Sequence, residues 1–380
     1  MKILVLGGGL QGSACSFDLL KQDDVELVTL ADLRADAGAG FLPDDDRLVC
    51  AALDCSDEVA TKSLMEQHDV VLSAAPYFFN GTLARLAIEA GCDYADLGGN
   101  TEILFKQLEM SDMAQEAGCT LIPDVGLAPG MINVLAAAGI RGLDETESVH
   151  MYVGGLPQHP VPPLNYQLVY SLHGMLDYYT TPSFVIRDGK PFEVEALTEI
   201  EDIEFDGVGT LEAFHTAGGS SIMPWRFEGK VDRLEYKTLR FPGHAVFMKA
   251  IRDLGLLSME PIDIDGTQVA PRDLVVGVLR PLLTREDPDQ VVLRVTATGA
   301  RDGQRVRLSW NLLDRKDEEA GISAMERTTG FTLAVVGLLM GRDVIDTTGV
   351  MPPDEGIPAD KYLEELAARD IDIRYSEEVL

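Results

Sequence analysis

The start of the chain holds the feature that most constrains its fold. A short apolar run, Lys2 to Leu6, leads directly into the glycine-rich turn Gly7-Gly8-Gly9-Leu10-Gln11-Gly12. A second apolar run from Val25 to Leu30 ends at Asp32, about 20 residues after the last glycine. This order of strand, glycine turn, helix, strand and acid is typical of a dinucleotide-binding unit. A glycine motif alone could be a turn in another α/β protein, but the flanking strands and the acid favour the dinucleotide site.

The parts of this turn have separate roles in binding a pyrophosphate. Gly7 permits the tight turn, Gly9 lets the backbone approach the phosphates, and Gly12 lets the helix pack closely on the strand. A helix is predicted from Leu10 to about Lys21. The free N–H groups of its first turn, which includes Leu10 and Gln11, would face the anion.

Residues at the ends of the next strands complete the predicted cofactor site. Asp32 would accept hydrogen bonds from the ribose hydroxyls and would repel a 2′-phosphate, so the sequence predicts NAD rather than NADP. Arg34 is expected to lie over the adenine, and Asp54 ends a third strand nearby. A fourth strand ends at Ala74-Ala75-Pro76, at the sheet edge where open α/β sheets bind ligands.

A loop between two predicted elements lies on the same edge. The segment from Asp124 to Gly130 follows a sixth strand, and a helix is predicted from Met131. Proline and glycine continue neither element, so the chain must turn here. Two interpretations are equally good: a plain turn, or a loop on the nicotinamide side that places Pro129 in the cofactor site.

The hydrophobic pattern changes near Glu147 and again near Ser323. We therefore predict an α/β protein in three parts: a Rossmann domain with a doubly wound parallel sheet (residues 1–130), an α+β substrate-binding and dimerisation domain with a mixed sheet (131–322), and C-terminal helices that return to the Rossmann domain (323–380). Ser323 and Glu326 form a capping-box pair ahead of a long helix.

Composition excludes several classes of function. The net charge of −32 argues against a nucleic-acid partner, since phosphate binding needs clustered Lys and Arg. No run reaches the ~18 apolar residues of a membrane span. The five cysteines are odd in number and form no C-x-x-C, and the chain begins within a core strand, so a reducing cytoplasm is expected.

Several longer motifs give the chain a specific resemblance. It resembles the saccharopine dehydrogenase-like family, and most closely its lysine 6-dehydrogenase branch, over nearly its whole length. The motifs are the glycine turn, Asp96 to Gly99, Pro123 to Asn133, Tyr152 to Pro157, Leu211 to Gly219 and Glu235 to Arg240. The resemblance implies an NAD-binding domain completed by the C-terminal segment, a central substrate and dimerisation domain, and oxidative deamination of an amino acid. Saccharopine-forming relatives tend to carry Asp where this chain has Ala128, which argues against saccharopine itself.

Amine oxidation needs a base near the nicotinamide, because the amine must lose a proton before hydride leaves the adjacent carbon. Asp124 is placed for this role at a strand exit. The alternative is an aspartate that caps the helix after Pro129. Lys237 and Tyr77 are further candidates, although a lysine on an alternating strand is usually solvated.

The candidate substrate-binding residues lie in the predicted second domain. Arg240 has the planar fork suited to an α-carboxylate, and a surface ion pair is an equally good interpretation. Tyr166, His215 and His244 could line the pocket, though a lone histidine is more often structural. The histidines show no H-E-x-x-H or other ligand spacing, so no catalytic metal is predicted.

The reaction predicted from the resemblance is NAD-dependent oxidation of L-lysine at its ε-amino carbon, giving the 6-semialdehyde and ammonia. A negative protein attracts this cationic amino acid more than the tricarboxylate saccharopine. Alternatives are a saccharopine dehydrogenase or reductase, a carboxynorspermidine-type enzyme and, in another class, a non-catalytic NAD-binding sensor. The resemblance also implies a homodimer, most simply one formed through the central sheet, and the apolar alternating strands of that sheet, which need a partner face, support this expectation.

Overall fold

The computed structural model describes residues 1–380. Its first part alternates strands and helices. They are β1 (Lys2–Leu6), α1 (Leu10–Leu19), β2 (Leu27–Asp32), β3 (Leu48–Ala52), α2 (Glu58–Met65), β4 (Val70–Ser73), α3 (Asn80–Ala90), β5 (Asp93–Asp96), α4 (Thr101–Leu108), α5 (Ser111–Ala117) and β6 (Thr120–Ile122).

The second part is richer in strands. Its elements are α6 (Met131–Arg141), β7 (Glu145–Pro157), α7 (Leu172–Thr180), β8 (Ser183–Arg187), β9 (Lys190–Val194), β10 (Glu201–Phe205), β11 (Gly209–His215), α8 (Met223–Arg226), β12 (Val231–Arg240), α9 (His244–Asp253), β13 (Ile262–Ile264), β14 (Thr267–Val269), α10 (Pro271–Leu283), β15 (Asp289–Arg301) and β16 (Gln304–Arg315). The chain ends with α11 (Ala324–Gly341), β17 (Gly349–Val350), α12 (Pro353–Gly356), α13 (Ala359–Ala367) and β18 (Arg374–Val379).

The first sheet is a doubly wound parallel sheet, as predicted. Its strand order is β17-β6-β5-β4-β1-β2-β3, so the order reverses direction between β1 and β4. The apolar run at β1 is buried on both faces because helices cover both sides of the sheet. The carboxyl ends of β1, β2 and β4 therefore meet at the switch point where ligands bind in such sheets.

The second sheet is mixed, which also confirms the prediction. Its main order is β10-β11-β12-β7-β15-β16-β18, in which β7 and β12 are parallel and the other neighbours antiparallel. The β15–β16 hairpin turns at Asp302-Gly303, and an Asp-Gly pair between two alternating strands predicts such a turn. Helices α6 and α11 cover one face of this sheet.

The last part of the chain joins both sheets. Helix α11 begins with the predicted capping box between Ser323 and Glu326, and it packs on α1, β4 and β5. Strand β17 extends the first sheet beside β6, whereas β18 extends the second sheet beside β16, which the sequence pattern did not predict. The three-part division of the chain stays a prediction.

Two helix boundaries differ from what the residues indicate. Ser56 is the N-cap predicted for α2, but Asp57 caps this helix, because its carboxylate accepts from the Ala60 N–H at 3.0 Å, while the Ser56 hydroxyl bonds to Asp54. The pattern also predicts one helix from Gln107 to Ala117, whereas α4 ends at Leu108 and α5 begins at Ser111.

In the second sheet, one set of apolar side chains lies under α6 and α11, and a smaller buried cluster that includes Leu156, Leu239 and Val292 lies on the other face. A dimer formed through this sheet stays a prediction.

No helix in the protein combines the length and apolar character that crossing a bilayer requires.

Candidate functional site

The glycine turn between β1 and α1 has the shape that a dinucleotide needs. Gly7 has a φ of +98°, and a Cβ there would lie 2.8 Å from the Ala74 backbone. A Cβ on Gly12 would meet the Gly7 carbonyl oxygen, so α1 packs directly on the turn. A Cβ on Gly9 would meet nothing within 4 Å, which leaves open space at the first turn of α1. Each position therefore has the surroundings expected for its role.

The residues predicted around this turn lie along the same sheet edge. Asp32, at the end of β2, accepts from the Gly8 N–H at 2.8 Å and from the Arg34 N–H at 3.3 Å. The Arg34 side chain is exposed beside Asp36, and Asp54 follows β3 on the surface. Ala74, Ala75 and Pro76 follow β4 next to Gly7. The position of Arg34 over an adenine stays a prediction.

A cavity of about 290 Å³ begins at the glycine turn and extends towards the second sheet. Gln11 lines it, and its buried Oε1 has no hydrogen-bond partner, so a ligand can satisfy this atom. The other lining residues are Leu97, Gly98, Gly126, Leu127, Ala128, Pro129, Val153, Gly155, Tyr170, Ser171, Tyr178, Tyr236, Thr238, Arg240, Met325 and Thr329. The loop before α6 thus forms part of the cavity wall, as the nicotinamide-side interpretation expects.

Arg240 is a buried cation at the far end of this cavity. It is only 3% exposed and has no carboxylate partner, so the surface ion pair considered from sequence does not form. Its Nη1 donates to the carbonyl oxygens of Leu239 at 3.0 Å and Gly155 at 3.4 Å, and its Nε has no partner. A buried guanidinium with unused donors favours binding of an anion such as a carboxylate.

Asp124 is a buried acid beside the same cavity. Its Oδ2 accepts from the Ser221 hydroxyl at 2.6 Å. The pKa of Asp124 is raised to about 7, chiefly by burial; the Ser221 hydrogen bond opposes this rise and the nearby Asp96 adds to it. The N-cap of α6 is Gly130, so Asp124 does not cap that helix as the alternative interpretation required. A carboxylate with a pKa near neutrality is suited to general-base catalysis.

Tyr166 and His244 do not line the cavity, contrary to expectation. Tyr166 lies beneath Arg240, whose guanidinium carbon is 4.7 Å from the ring centroid. His244 is buried between Tyr179, which lies 2.9 Å from its Nε2, and the Leu164 carbonyl oxygen, 2.9 Å from its Nδ1. Burial lowers the pKa of His244 to about 3, which keeps this ring neutral. Tyr166 thus packs against Arg240 and His244 packs against Tyr166, and neither residue lines the cavity.

Lys237 and His215 lie on the opposite face of the second sheet from the cavity. Side chains alternate along a strand, so Lys237 of β12 points away from the face that carries Thr238 and Arg240. The Lys237 Nζ donates to Glu201 at 2.7 Å, and it is not available as a base in the cavity. His215 pairs with Lys237 in the β11–β12 register and shares its face.

Tyr77 lines a neighbouring cavity of about 510 Å³ rather than the first one. It belongs to a short 3₁₀ turn after β4 and is partly exposed. Ser221 lines the same second cavity, and Tyr178 lines both. Asp124 itself lines neither cavity, but its neighbours Gly98 and Gly126 line the first and its partner Ser221 lines the second, so the acid lies between residues of both.

Several residues of the site were not predicted from the sequence. They are Tyr170, Tyr178 and Ser221 from loops or α7, and Tyr236 and Thr238 from β12. The period of two along β12 could have identified Tyr236 and Thr238, because they share a face with Arg240. The first three carry no local signal.

Comparison with known proteins agrees with the dinucleotide-binding site that the geometry indicates. Residues 3–122 match the model described as the saccharopine dehydrogenase NADP binding domain, and residues 126–372 match the saccharopine dehydrogenase C-terminal domain. A nicotinamide-cofactor domain is therefore present.

Similar proteins of known name span most of the chain. The saccharopine dehydrogenase [NADP(+), L-glutamate-forming] of Saccharomyces cerevisiae is 24% identical over 80% of this chain and 70% of its own length. The carboxynorspermidine synthase of Vibrio alginolyticus is 22% identical over 86% of this chain and 82% of its own length. In fold, the apo saccharopine dehydrogenase (L-Glu forming) from S. cerevisiae superposes with a TM-score of 0.80 at 21% identity, covering 100% of this chain and 99% of that one. The glycine turn, the two-sheet cavity and these matches together show that the chain belongs to the saccharopine dehydrogenase family of oxidoreductases.

Proposed function

We propose that this protein catalyses the NAD-dependent oxidative deamination of L-lysine at the ε-amino carbon. Lysine, NAD⁺ and water would give the 6-semialdehyde, ammonium, NADH and one proton. The family and the cofactor domain support an oxidoreductase that acts on a carbon–nitrogen bond. The choice of lysine rests on the cavity.

The observation that carries this choice is the number of positive charges in the two cavities. Arg240 is the only Lys or Arg among the residues that line either cavity. Arg226, the last residue of α8, is bound to Asp354 and Glu355 and lines neither cavity. One buried guanidinium can pair with the single carboxylate of lysine, whereas saccharopine would bring three carboxylates into the site.

In the proposed pose, Arg240 holds the α-carboxylate and the tyrosines of the wall pack against the lysine stem. Asp124 takes a proton from the ε-ammonium, and Ser221 holds the Asp124 carboxylate in place. NAD bound at the glycine turn would supply the hydride acceptor for the ε-carbon. The burial of Asp124 makes it a proton acceptor near neutral pH, where an exposed aspartate would be too weak a base.

Saccharopine dehydrogenase activity is the alternative, because the S. cerevisiae relative carries that name. The test is a panel of lysine, saccharopine, ornithine and polyamines with NAD or NADP, followed by NADH or NADPH absorbance. We expect the highest kcat/KM with lysine and NAD. Formation of glutamate from saccharopine with no turnover of lysine would favour the alternative. Cofactor binding without turnover of any amine would indicate a sensor.

A further inference from the structure

The second sheet carries a cluster of possible metal ligands on the face opposite the cavity. Glu199 precedes β10, His215 ends β11 and Glu235 lies in β12. We call these three residues the outer cluster. His215 and Glu235 are 0% and 2% exposed, whereas the Glu199 side chain is 40% exposed. The cluster is therefore buried on one side and open to solvent on the other.

The distances within the outer cluster fit ligands of one small ion. Nε2 of His215 lies 3.2 Å from Oε2 of Glu199 and 3.5 Å from Oε2 of Glu235. The three ligand atoms all lie within 4.8 Å of one another. Two ligand atoms that are each about 2.0–2.1 Å from a tetrahedral ion lie about 3.3 Å apart. The spacing therefore suits an ion placed between them after a small adjustment.

A second observation concerns the bonding of Glu235. Its Oε1 accepts from Arg233, but its buried Oε2 has no hydrogen-bond partner. A buried carboxylate oxygen without a donor is costly and uncommon. This unsatisfied atom lies next to Nε2 of His215, and a cation bound between the two atoms would satisfy it.

From these observations we propose that Glu199, His215 and Glu235 bind one divalent transition-metal ion of the Zn²⁺ type. One imidazole and two carboxylates are a ligand set that zinc accepts, and the open side at Glu199 leaves room for water as a fourth ligand. The ion would connect the loop before β10 to β11 and β12. It lies across the sheet from Asp124 and Arg240, so it would stabilise structure and take no part in the proposed amine oxidation.

Protein cations around the outer cluster compete with such an ion. The Nη2 atom of Arg187 lies 2.6 Å and 2.5 Å from the two oxygens of Glu199, and an ion must displace it from at least one of them. Removal of the Arg187 charge should therefore strengthen metal binding. By contrast, removal of a ligand residue should weaken metal binding.

The experiment titrates chelator-treated full-length protein with Zn²⁺ by calorimetry and with Co²⁺ by visible absorbance. We expect one equivalent of metal, a tetrahedral Co²⁺ spectrum and a higher Tm with metal. Glu235→Gln and His215→Gln should each weaken binding by more than about 10-fold. Arg187→Gln should tighten it. His159→Gln is the matched control, because this exposed histidine pairs with Asp287 away from the outer cluster and its loss should leave binding unchanged.

Two results would overturn the proposal. One is the absence of a bound equivalent in the wild-type protein, and the other is equal binding by wild-type, Glu235→Gln and His215→Gln proteins. If the two ligand variants do not fold, the Arg187→Gln variant tests the proposal instead. It leaves all three ligand residues unchanged and replaces only a partly exposed side chain. Unchanged or weaker binding in that variant would then reject the site.

Discussion

At the scale of single residues, Arg240 and Asp124 have complementary surroundings. Arg240 is a buried cation without an acidic partner, whereas Asp124 is a buried acid whose only side-chain hydrogen bond comes from the neutral Ser221. Each is costly for the free protein, because burial disfavours both charges. A bound amino acid with a carboxylate at one end and an ammonium at the other would satisfy both residues at once. Substitutions of Arg240 should therefore affect mainly substrate binding, and substitutions of Asp124 mainly proton transfer.

The first prediction concerns Arg240. Arg240→Ala should raise KM for lysine about 10- to 100-fold, because it removes a charge-assisted contact of ~1.5–3 kcal/mol, while kcat changes less. Arg240→Lys keeps the charge without the planar fork and should give a smaller rise. Steady-state kinetics with lysine measure both effects. A fall in kcat with unchanged KM would show that Arg240 does not hold the substrate.

The second prediction concerns the pH dependence set by Asp124. Its pKa of about 7 means that kcat should fall as the pH drops through neutrality, since the protonated acid cannot accept a proton. Ser221→Ala removes a hydrogen bond that favours the carboxylate, so the pKa should rise and the acid limb should move to higher pH. Asp124→Asn should lower kcat by about 10²- to 10⁴-fold without loss of NAD binding. An acid limb at the same pH in Ser221→Ala would contradict this role of Ser221.

The third prediction concerns the choice of cofactor, since the family model and the yeast relative are named for NADP. We expect a preference for NAD, because the Asp32 carboxylate would repel a 2′-phosphate. Asp32→Asn keeps an acceptor for the Gly8 N–H but removes the charge, and it should bring the kcat/KM values for NAD and NADP closer together. Asp32→Ala should also reduce the preference for NAD. A wild-type preference for NADP would reject the assignment.

At the scale of elements, the C-terminal segment is attached to α1 by a buried ion pair. The Arg369 Nε donates to both carboxylate oxygens of Asp18 at 2.8 Å, and both side chains are almost fully buried. Arg369 also donates to Glu365, within the same segment. Loss of the arginine would leave Asp18 as an uncompensated charge inside the protein.

The fourth prediction follows from this pair. Arg369→Met should reduce the free energy of unfolding by about 3–5 kcal/mol, which is typical when one partner of a buried pair is removed. Arg374→Met is the control, because Arg374 forms a fully solvated pair with Asp372 and should change stability by less than about 1 kcal/mol. Urea unfolding of the three proteins measures the difference. Equal losses in both variants would show that the pair does not link the segment to α1.

At the scale of the whole molecule, a homodimer is still predicted, but a different surface is expected to form its interface. The open face of the second sheet is polar, so it offers little apolar area. Helix α10 instead exposes a stripe of apolar side chains at Leu274, Val278 and Leu282, spaced four residues apart on one side of the helix. Exposed apolar stripes of this kind mark interaction surfaces.

The fifth prediction is that the protein is a dimer at micromolar concentration and that α10 forms its interface. Val278→Asp should give a monomer by light scattering, because it places a charge in the stripe. Arg307→Glu, on the open face of the second sheet, should leave the dimer intact. A wild-type monomer would reject the dimer, and a monomer produced only by Arg307→Glu would move the interface to the sheet.

Much of the fold could be predicted from local patterns. The glycine turn, the β15–β16 hairpin and the capping box of α11 each depend on residues close together in the chain, and the structure contains all three. The residues of the candidate site were harder to predict from the sequence. The alternation of β12 places Lys237 and Arg240 on opposite faces of the sheet, so the two side chains cannot line the same cavity.

By itself, the sequence determined the doubly wound sheet, the mixed second sheet and the position of the cofactor turn, because short-range patterns specify these features. The tertiary structure alone decided which side chains meet. Ser221 reaches Asp124 across 97 positions of the chain, and the three residues of the outer cluster come together only when a loop and two strands align. The burial that raises the pKa of Asp124 and leaves Arg240 unpaired is likewise a property of packing, since no local pattern reports how much water a side chain retains.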